Sequence, residues 1–414
     1  MSVVLSGAAR SGSSTIVGLL ACQREPYLKS LKTHVVGCEK LLDKKKQEVV
    51  GYELELKDTI LFPEGGGQPF DTGSLKHGED TISVSNVQRD GLTAVHIADK
   101  PVEPGTEVAV DLDWARRYDH MQQHTGQHLL SAVLDRRNVE TVGWNLGPKF
   151  CYVELPRKLS AEEVAEVQEE VNQKIQEAIN IKVELNKDVD HKVPDNYDVD
   201  QGVVRVIHIG DLDSNPCCGT HLRNTAEISS ITLLHSVGIR GTNSRLFFLA
   251  GNRVRKYASE AHEIIRKAGA ALSCQPEDIE DKINRQNQAI KDLTSKERFW
   301  AGQVAKFEAQ DLKRQLEQTK FAVLHKPDGS MEYLKNVEKE LGKLEPGMGT
   351  YVLMCGQGKQ GGAIVANGDE VESCVEKIKS AVPNVKGGGK GKWQGKVVSY
   401  EKGAIESLMK NLEI

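Results

Sequence analysis

From about Leu31 to Leu112 apolar and polar positions alternate in short runs separated by turn residues. Val49-Val50-Gly51-Tyr52-Glu53-Leu54-Glu55-Leu56, Ile82-Ser83-Val84 and Glu107-Val108-Ala109-Val110-Asp111-Leu112 show the two-residue period of half-buried strands. Between them sits Leu61-Phe62-Pro63-Glu64-Gly65-Gly66-Gly67-Gln68-Pro69. The pattern predicts a β-barrel-like domain over residues 25–115 that carries this Gly-rich motif.

The period then lengthens. Residues 116–134 read as a helix, with His124, His128, Leu129 and Ala132 at helical spacing. Ser160-Ala161-Glu162-Glu163 is a capping-box start, followed by Val164, Val167, Val171, Ile175 and Ala178. Strands are expected at 181–185, 203–209 and 244–249, making residues 116–252 an α+β domain. Over 253–320 the pattern is long helices. Tyr257, Ala261, Ile264, Ile265, Ala268 and Leu272 form one stripe. Ile279, Ile283, Ile290, Leu293, Trp300, Val304 and Phe307 form a second, close to a heptad repeat. Cys274-Gln275-Pro276-Glu277 separates the stripes and predicts a helical hairpin, suited to a spacer or a dimer arm. Residues 321–414 return to short strands with Gly-rich loops at 356–362 and 386–395, as a small α/β domain. The fold class expected is α+β, multidomain.

The length, 414 residues, suggests two to four domains. A hydrophobic content of 39% supports real cores, and a net charge of −5 argues against coating nucleic acid non-specifically, so any RNA contact should be local. No stretch approaches the ~20 apolar residues that span a bilayer, so no membrane partner is expected. Eight scattered cysteines, of which only Cys217 and Cys218 adjoin, fit reduced thiols and a cytoplasmic location. Residues 1–24 are expected as a disordered leader; Arg10, with no acid before Glu25, leaves a mitochondrial presequence as the alternative. Seven lysines against two glutamates from Val375 to Gly403, with Trp393 among them, suit a phosphate backbone and a stacked base. A solvated loop explains the same residues equally well.

The chemistry concentrates in two distant pairs. His124 and His128, and Cys217 and His221, are each spaced i, i+4, and together give a nitrogen and sulfur donor set suited to tetrahedral zinc. Residues four apart on a helix lie roughly 5–6 Å apart at Cβ, within reach of one ion. His120 shares that register, but 120 and 128 are about 12 Å apart along a helix axis, so the three cannot bind one ion together. From spacing alone 120/124 and 124/128 are equally good. A Cys-x-x-x-His helix pair favours Cys217 over Cys218. In zinc proteases the residue after the first His is the general base; Thr125 holds that place here, which excludes the protease reading.

Phe62-Pro63-Glu64-Gly65-Gly66-Gly67-Gln68-Pro69, then Met121-Gln122-Gln123-His124-Thr125-Gly126-Gln127-His128-Leu129-Leu130, then Cys217-Cys218-Gly219-Thr220-His221 occur in this order. In that order and spacing they resemble the freestanding alanyl-tRNA editing proteins, the AlaX family, over nearly the whole chain after Cys22. The Gly-rich C-terminal segment is similar to the C-terminal domain of alanyl-tRNA synthetase, a mark of the long form. The resemblance implies one Zn2+ per chain on His124, His128, Cys217 and His221, in an editing domain like that of threonyl- and alanyl-tRNA synthetases. It implies hydrolysis of tRNA(Ala) mischarged with serine, and also with glycine. Thr59 falls where a family threonine reads the serine hydroxyl, and Gln68, Gly66 and Gly67 are the further site candidates. Gln123 and Gln127 read instead as helix-surface residues or residues packed behind the ligands. The hairpin or the C-terminal domain is the candidate homodimer contact. The competing reading is a non-catalytic, zinc-stabilised module that binds RNA or a partner.

Overall fold

A computed structural model describes residues 14–43, 48–186 and 203–412. The chain divides into two compact units, residues 1–264 and 265–414. The first begins with the short helix α1 (Ala21–Arg24) and six strands: β1 (Ser30–Leu42), β2 (Val49–Leu56), β3 (Gly73–His77), β4 (Asp80–Asp90), β5 (Thr93–Ala98) and β6 (Glu107–Leu112). They close into an antiparallel barrel in the order β1-β2-β5-β4-β3-β6. Alternation selects the inward residues: Leu54, Leu56, Leu75, Ile82, Val84, Val108 and Val110 fill the interior. The expected leader divides in two. Residues 1–13 lie outside the described residues, whereas Val17, Leu20, Ala21 and Cys22 are buried in the barrel core rather than disordered. Their apolar side chains supply the core contact that a disordered segment lacks.

From β6 the chain passes directly into α2 (Trp114–Arg136), capped by Asp113, whose side chain accepts from the Arg116 N–H. Residues 120–134 of this helix are all buried, polar ones included. Around it lie β7 (Gly143–Leu146), β8 (Cys151–Leu155), α3 (Ala161–Gln176), β9 (Ile181–Asn186), β10 (Val204–Ile209), β11 (Asp213–Pro216), β12 (Ile231–Gly238) and β13 (Ser244–Ala250). They form a β12-β13-β8-β7 sheet and a β11-β10-β9 sheet. The capping box at Ser160 is present, with Val167, Val171 and Ile175 turned into the core. Helix α4 (Asn252–Leu272) then crosses the division between the units.

In the second unit the end of α4 is followed by the 41-residue helix α5 (Ile279–Thr319). Next come β14 (Phe321–Lys326), α6 (Met331–Leu341), β15 (Thr350–Gln357), β16 (Gly361–Gly368), α7 (Val371–Ala381), β17 (Lys386–Gly388), β18 (Lys392–Val397) and α8 (Ala404–Leu412). The sheet runs β14-β15-β16-β18-β17, parallel only between β14 and β15. One face packs α6 and the end of α5, the other α7 and α8. The stacked-base role for Trp393 does not survive: its side chain is buried in that second core. A Cβ on Gly387 or Gly395 would meet its indole at 2.7 or 2.3 Å, so these two glycines make room for a core tryptophan.

Candidate metal centre

Helix α2 brings His124 and His128 onto the face that meets the loop after β11, where Cys217 and His221 lie. One ligand atom from each of the four side chains falls within 4.8 Å of all the others. Cys217 Sγ stands 3.4 Å from His124 Nε2 and 3.3 Å from His221 Nε2. His128 Nε2 is buried without a hydrogen-bond partner, a placement that costs free energy unless something binds there. Of the two pairs left open by spacing, the fold uses 124/128. His120 stays outside the cluster, and so does Cys218, whose sulfur sits against Gly66. The helix expected for Cys217 and His221 is absent. These residues belong to an irregular loop, whose course rather than any helical period brings the two side chains together.

The electrostatics suit a cation. Burial drives the imidazoles of His124 and His221 well below their ordinary pKa and that of His128 to about 4, so all three are neutral near pH 7. Burial also pushes the Cys217 thiol up to about 12. Three neutral imidazoles and a sulfur are a donor set that suits zinc, and a dication bound there would offset the cost of a buried thiolate.

The surroundings are fixed from several directions. Arg205 of β10, itself buried, donates to the carbonyls of Cys218, Gly219 and Gln23 at 2.7, 2.8 and 2.8 Å. Gln23 Nε2 donates to the Cys218 carbonyl at 2.7 Å. The Gly-rich motif folds as a two-residue turn closed by reciprocal backbone bonds between Gly65 and Gln68. Gly66 and Gly67 occupy its centre at φ +55° and +74°, the left-handed region glycine favours. A Cβ there would also meet Cys218 Sγ at 2.7 Å or the Trp144 ring at 2.4 Å. Both glycines line a cleft of about 1020 Å³ together with His128, Cys217, Gln127, Trp144 and Arg89.

Gln68 is fully buried and bonded to His124 and Thr220. Thr59 is not brought to the cleft: it is buried, its hydroxyl 2.9 Å from His96 Nε2 and accepting from the Leu61 N–H at 3.0 Å. Gln123 ties α2 to β13 through both Ala250 backbone groups, while Gln127 bonds Ser131 on the cleft wall. Sequence reasoning missed Arg205, Gln23, His96 and Trp144. None lies in a motif, and only the packing gives each a role.

Residues 204–247 match the family model described as the threonyl and alanyl tRNA synthetase second additional domain, and residues 25–116 match that of class II (A) tRNA synthetases. A Saccharomyces cerevisiae protein, provisionally named an alanyl-tRNA editing protein, alaX, is 40% identical over 95% of this chain and 96% of its own. The alanyl-tRNA editing protein Aarsd1 of Rattus norvegicus is 34% identical over 94% and 97%. An alanine–tRNA ligase of Pyrococcus abyssi is 28% identical over 94% of this chain but 43% of the ligase. A fold that joins a closed barrel to a second-additional-domain core, with a His/Cys cluster at their junction, defines an editing domain of the synthetase type. The chain belongs to the alanyl-tRNA editing protein family.

Proposed function

We propose that this protein is a zinc-dependent hydrolase acting in trans, which cleaves the ester of tRNA(Ala) mischarged with serine, and with glycine. The observation that carries the reading is the four-ligand cluster on the wall of an open cleft, with His128 and Cys217 facing that cleft. Bound there, zinc would supply a fixed positive charge and Lewis acidity beside the aminoacyl end. The chain's own groups do the rest. Gly66 and Gly67, lacking side chains, let backbone N–H groups approach the terminal adenosine or the ester oxygen. Trp144 lines the cleft with its ring against Gly67.

A second site of this kind has a physical reason to exist. An apolar alanine pocket rejects an added hydroxyl only by on the order of 100-fold. A polar cleft that pairs the serine hydroxyl would lose roughly 1–3 kcal/mol on alanine, through the group left unpaired. Lys386, Lys390 and Lys396, exposed in the second unit, are the groups we assign to the tRNA backbone. The test is deacylation of Ser-, Gly- and Ala-tRNA(Ala) by wild type and Cys217→Ala, with zinc measured in both. Wild type should carry one zinc and spare Ala-tRNA(Ala). The variant should lose the metal and at least about 100-fold in kcat/KM. Deacylation by neither protein would leave a zinc-stabilised binding module in place of the enzyme.

A further inference from the structure

We infer that Gln68, from the barrel loop, is the positioning residue that sets the tautomer and ring orientation of the metal ligand His124. The backbone N–H of Thr220 can only donate, and it points at one atom of the Gln68 amide at 2.9 Å. That atom must therefore be the oxygen, which fixes the orientation of the amide. The same oxygen lies 2.9 Å from His124 Nδ1. An amide oxygen accepts and cannot donate, so Nδ1 carries the hydrogen. The lone pair of His124 is thereby confined to Nε2, the nitrogen that faces Cys217 Sγ. The other end of the amide is also committed, Nε2 donating to Thr220 Oγ1 at 2.9 Å.

The surroundings leave this network no slack. Gln68 and His124 are both wholly buried, and Thr220 is too. A Cβ on Gly219 would fall 2.3 Å from His124 Cε1 and 2.8 Å from Gln68 Oε1. Glycine at 219 is what allows loop, imidazole and amide to meet. Gln68 lies 56 residues from His124 and 152 from Thr220, so one barrel side chain organises both halves of the ligand set. The barrel is thus a working part of the metal centre.

This rests on the zinc reading above, and the experiment separates the two. Zinc affinity of the full-length protein is measured by competition with a chromophoric chelator for wild type, Gln68→Met, Gln68→Glu and Thr220→Val. The His124 tautomer in the metal-free proteins is read from long-range 1H–15N spectra. Gln68→Met keeps the volume and removes every polar contact; it should weaken zinc binding about 10–100-fold and release the Nδ1–H preference. Gln68→Glu keeps the acceptor toward His124 and lets the Thr220 hydroxyl donate instead, so affinity should stay within about 3-fold of wild type or rise. Thr220→Val trims the loop clamp alone and should keep the wild-type tautomer. Wild-type affinity in Gln68→Met, or a more than tenfold loss in Gln68→Glu, overturns the inference. Should Gln68→Met not fold, the Gln68→Glu result decides alone. A wild type that binds no zinc would instead overturn the reading beneath it.

Discussion

The buried histidines of the cluster and the buried His96 differ in what their neighbours offer them. His124, His128 and His221 each bring a ring nitrogen within 4.8 Å of the others and of the Cys217 sulfur, an arrangement that could hold a shared cation. His96 instead has both nitrogens satisfied inside the barrel, Nδ1 toward the Leu54 carbonyl and Nε2 toward the Thr59 hydroxyl. Burial lowers its pKa to about 4, below the ordinary 6.5. The unfolded chain therefore binds the extra proton between these values, and stability that is complete above 6.5 is lost as pH falls toward 4. At 1.36 kcal/mol per unit, His96 should withdraw about 2–3 kcal/mol between pH 7 and pH 4.5. His96→Gln removes that titration, so the stability gap between wild type and variant, measured by urea unfolding, should narrow by this amount at pH 4.5. A gap independent of pH would show that His96 is not held neutral. The same contacts engage the hydroxyl of Thr59, the group expected to read serine, with His96 and the Leu61 N–H. Its place beside the Gly-rich motif is visible in the sequence, but a histidine 37 residues away that engages its hydroxyl is not.

At the level of elements, the segment that follows the Gly-rich turn reaches the His-bearing helix α2 through a buried ion pair. Arg117 of α2 donates from Nε to Asp71 Oδ2 at 2.9 Å and from its terminal nitrogens to Asp71 and the Ile60 and Pro26 carbonyls. Asp71 also accepts from the Phe62 N–H at 2.7 Å, and both charged side chains are fully buried. Asp71→Asn leaves the guanidinium without its counter-charge and should cost about 3–5 kcal/mol. Asp71→Leu with Arg117→Met, which removes both charges, should cost less than either single change, as denaturant midpoints would reveal. Equal losses in single and double variants would mean the pair contributes only packing. The elements themselves were largely legible: barrel strands, the His-bearing helix and the Ser160 cap follow from period and capping chemistry. What failed was the assumption that i, i+4 spacing means helix in both pairs. A short irregular loop held by Arg205 produces the same convergence with no periodic signal.

For the whole molecule, the unresolved physical problem is helix α5. Its last turns are buried through Ala305, Ala309, Leu312 and Leu316 against the second unit's sheet. On another face of the helix, Ile290, Leu293, Trp300 and Phe307 are 60%, 64%, 64% and 70% exposed, and Ile283 and Val304 more than 40%. Seven large apolar side chains on one helix, Phe299 at 58% exposed being the seventh, exceed what a soluble surface tolerates as isolated exceptions. All but Phe299 recur at intervals of seven, three and four, the repeat that buries best against another helix of the same period. The reading we favour is a second copy of this helix, giving a homodimer. Leu293→Glu with Trp300→Glu places charge in the middle of that seam. Wild type should sediment at twice the 45.6 kDa chain mass and the double variant at the chain mass. The His/Cys cluster lies in the other unit, so the monomeric variant should match wild type in zinc content and in cleavage of a minimal aminoacylated acceptor stem. A wild type that sediments as a monomer at tens of micromolar would assign the stripe to something other than self-association.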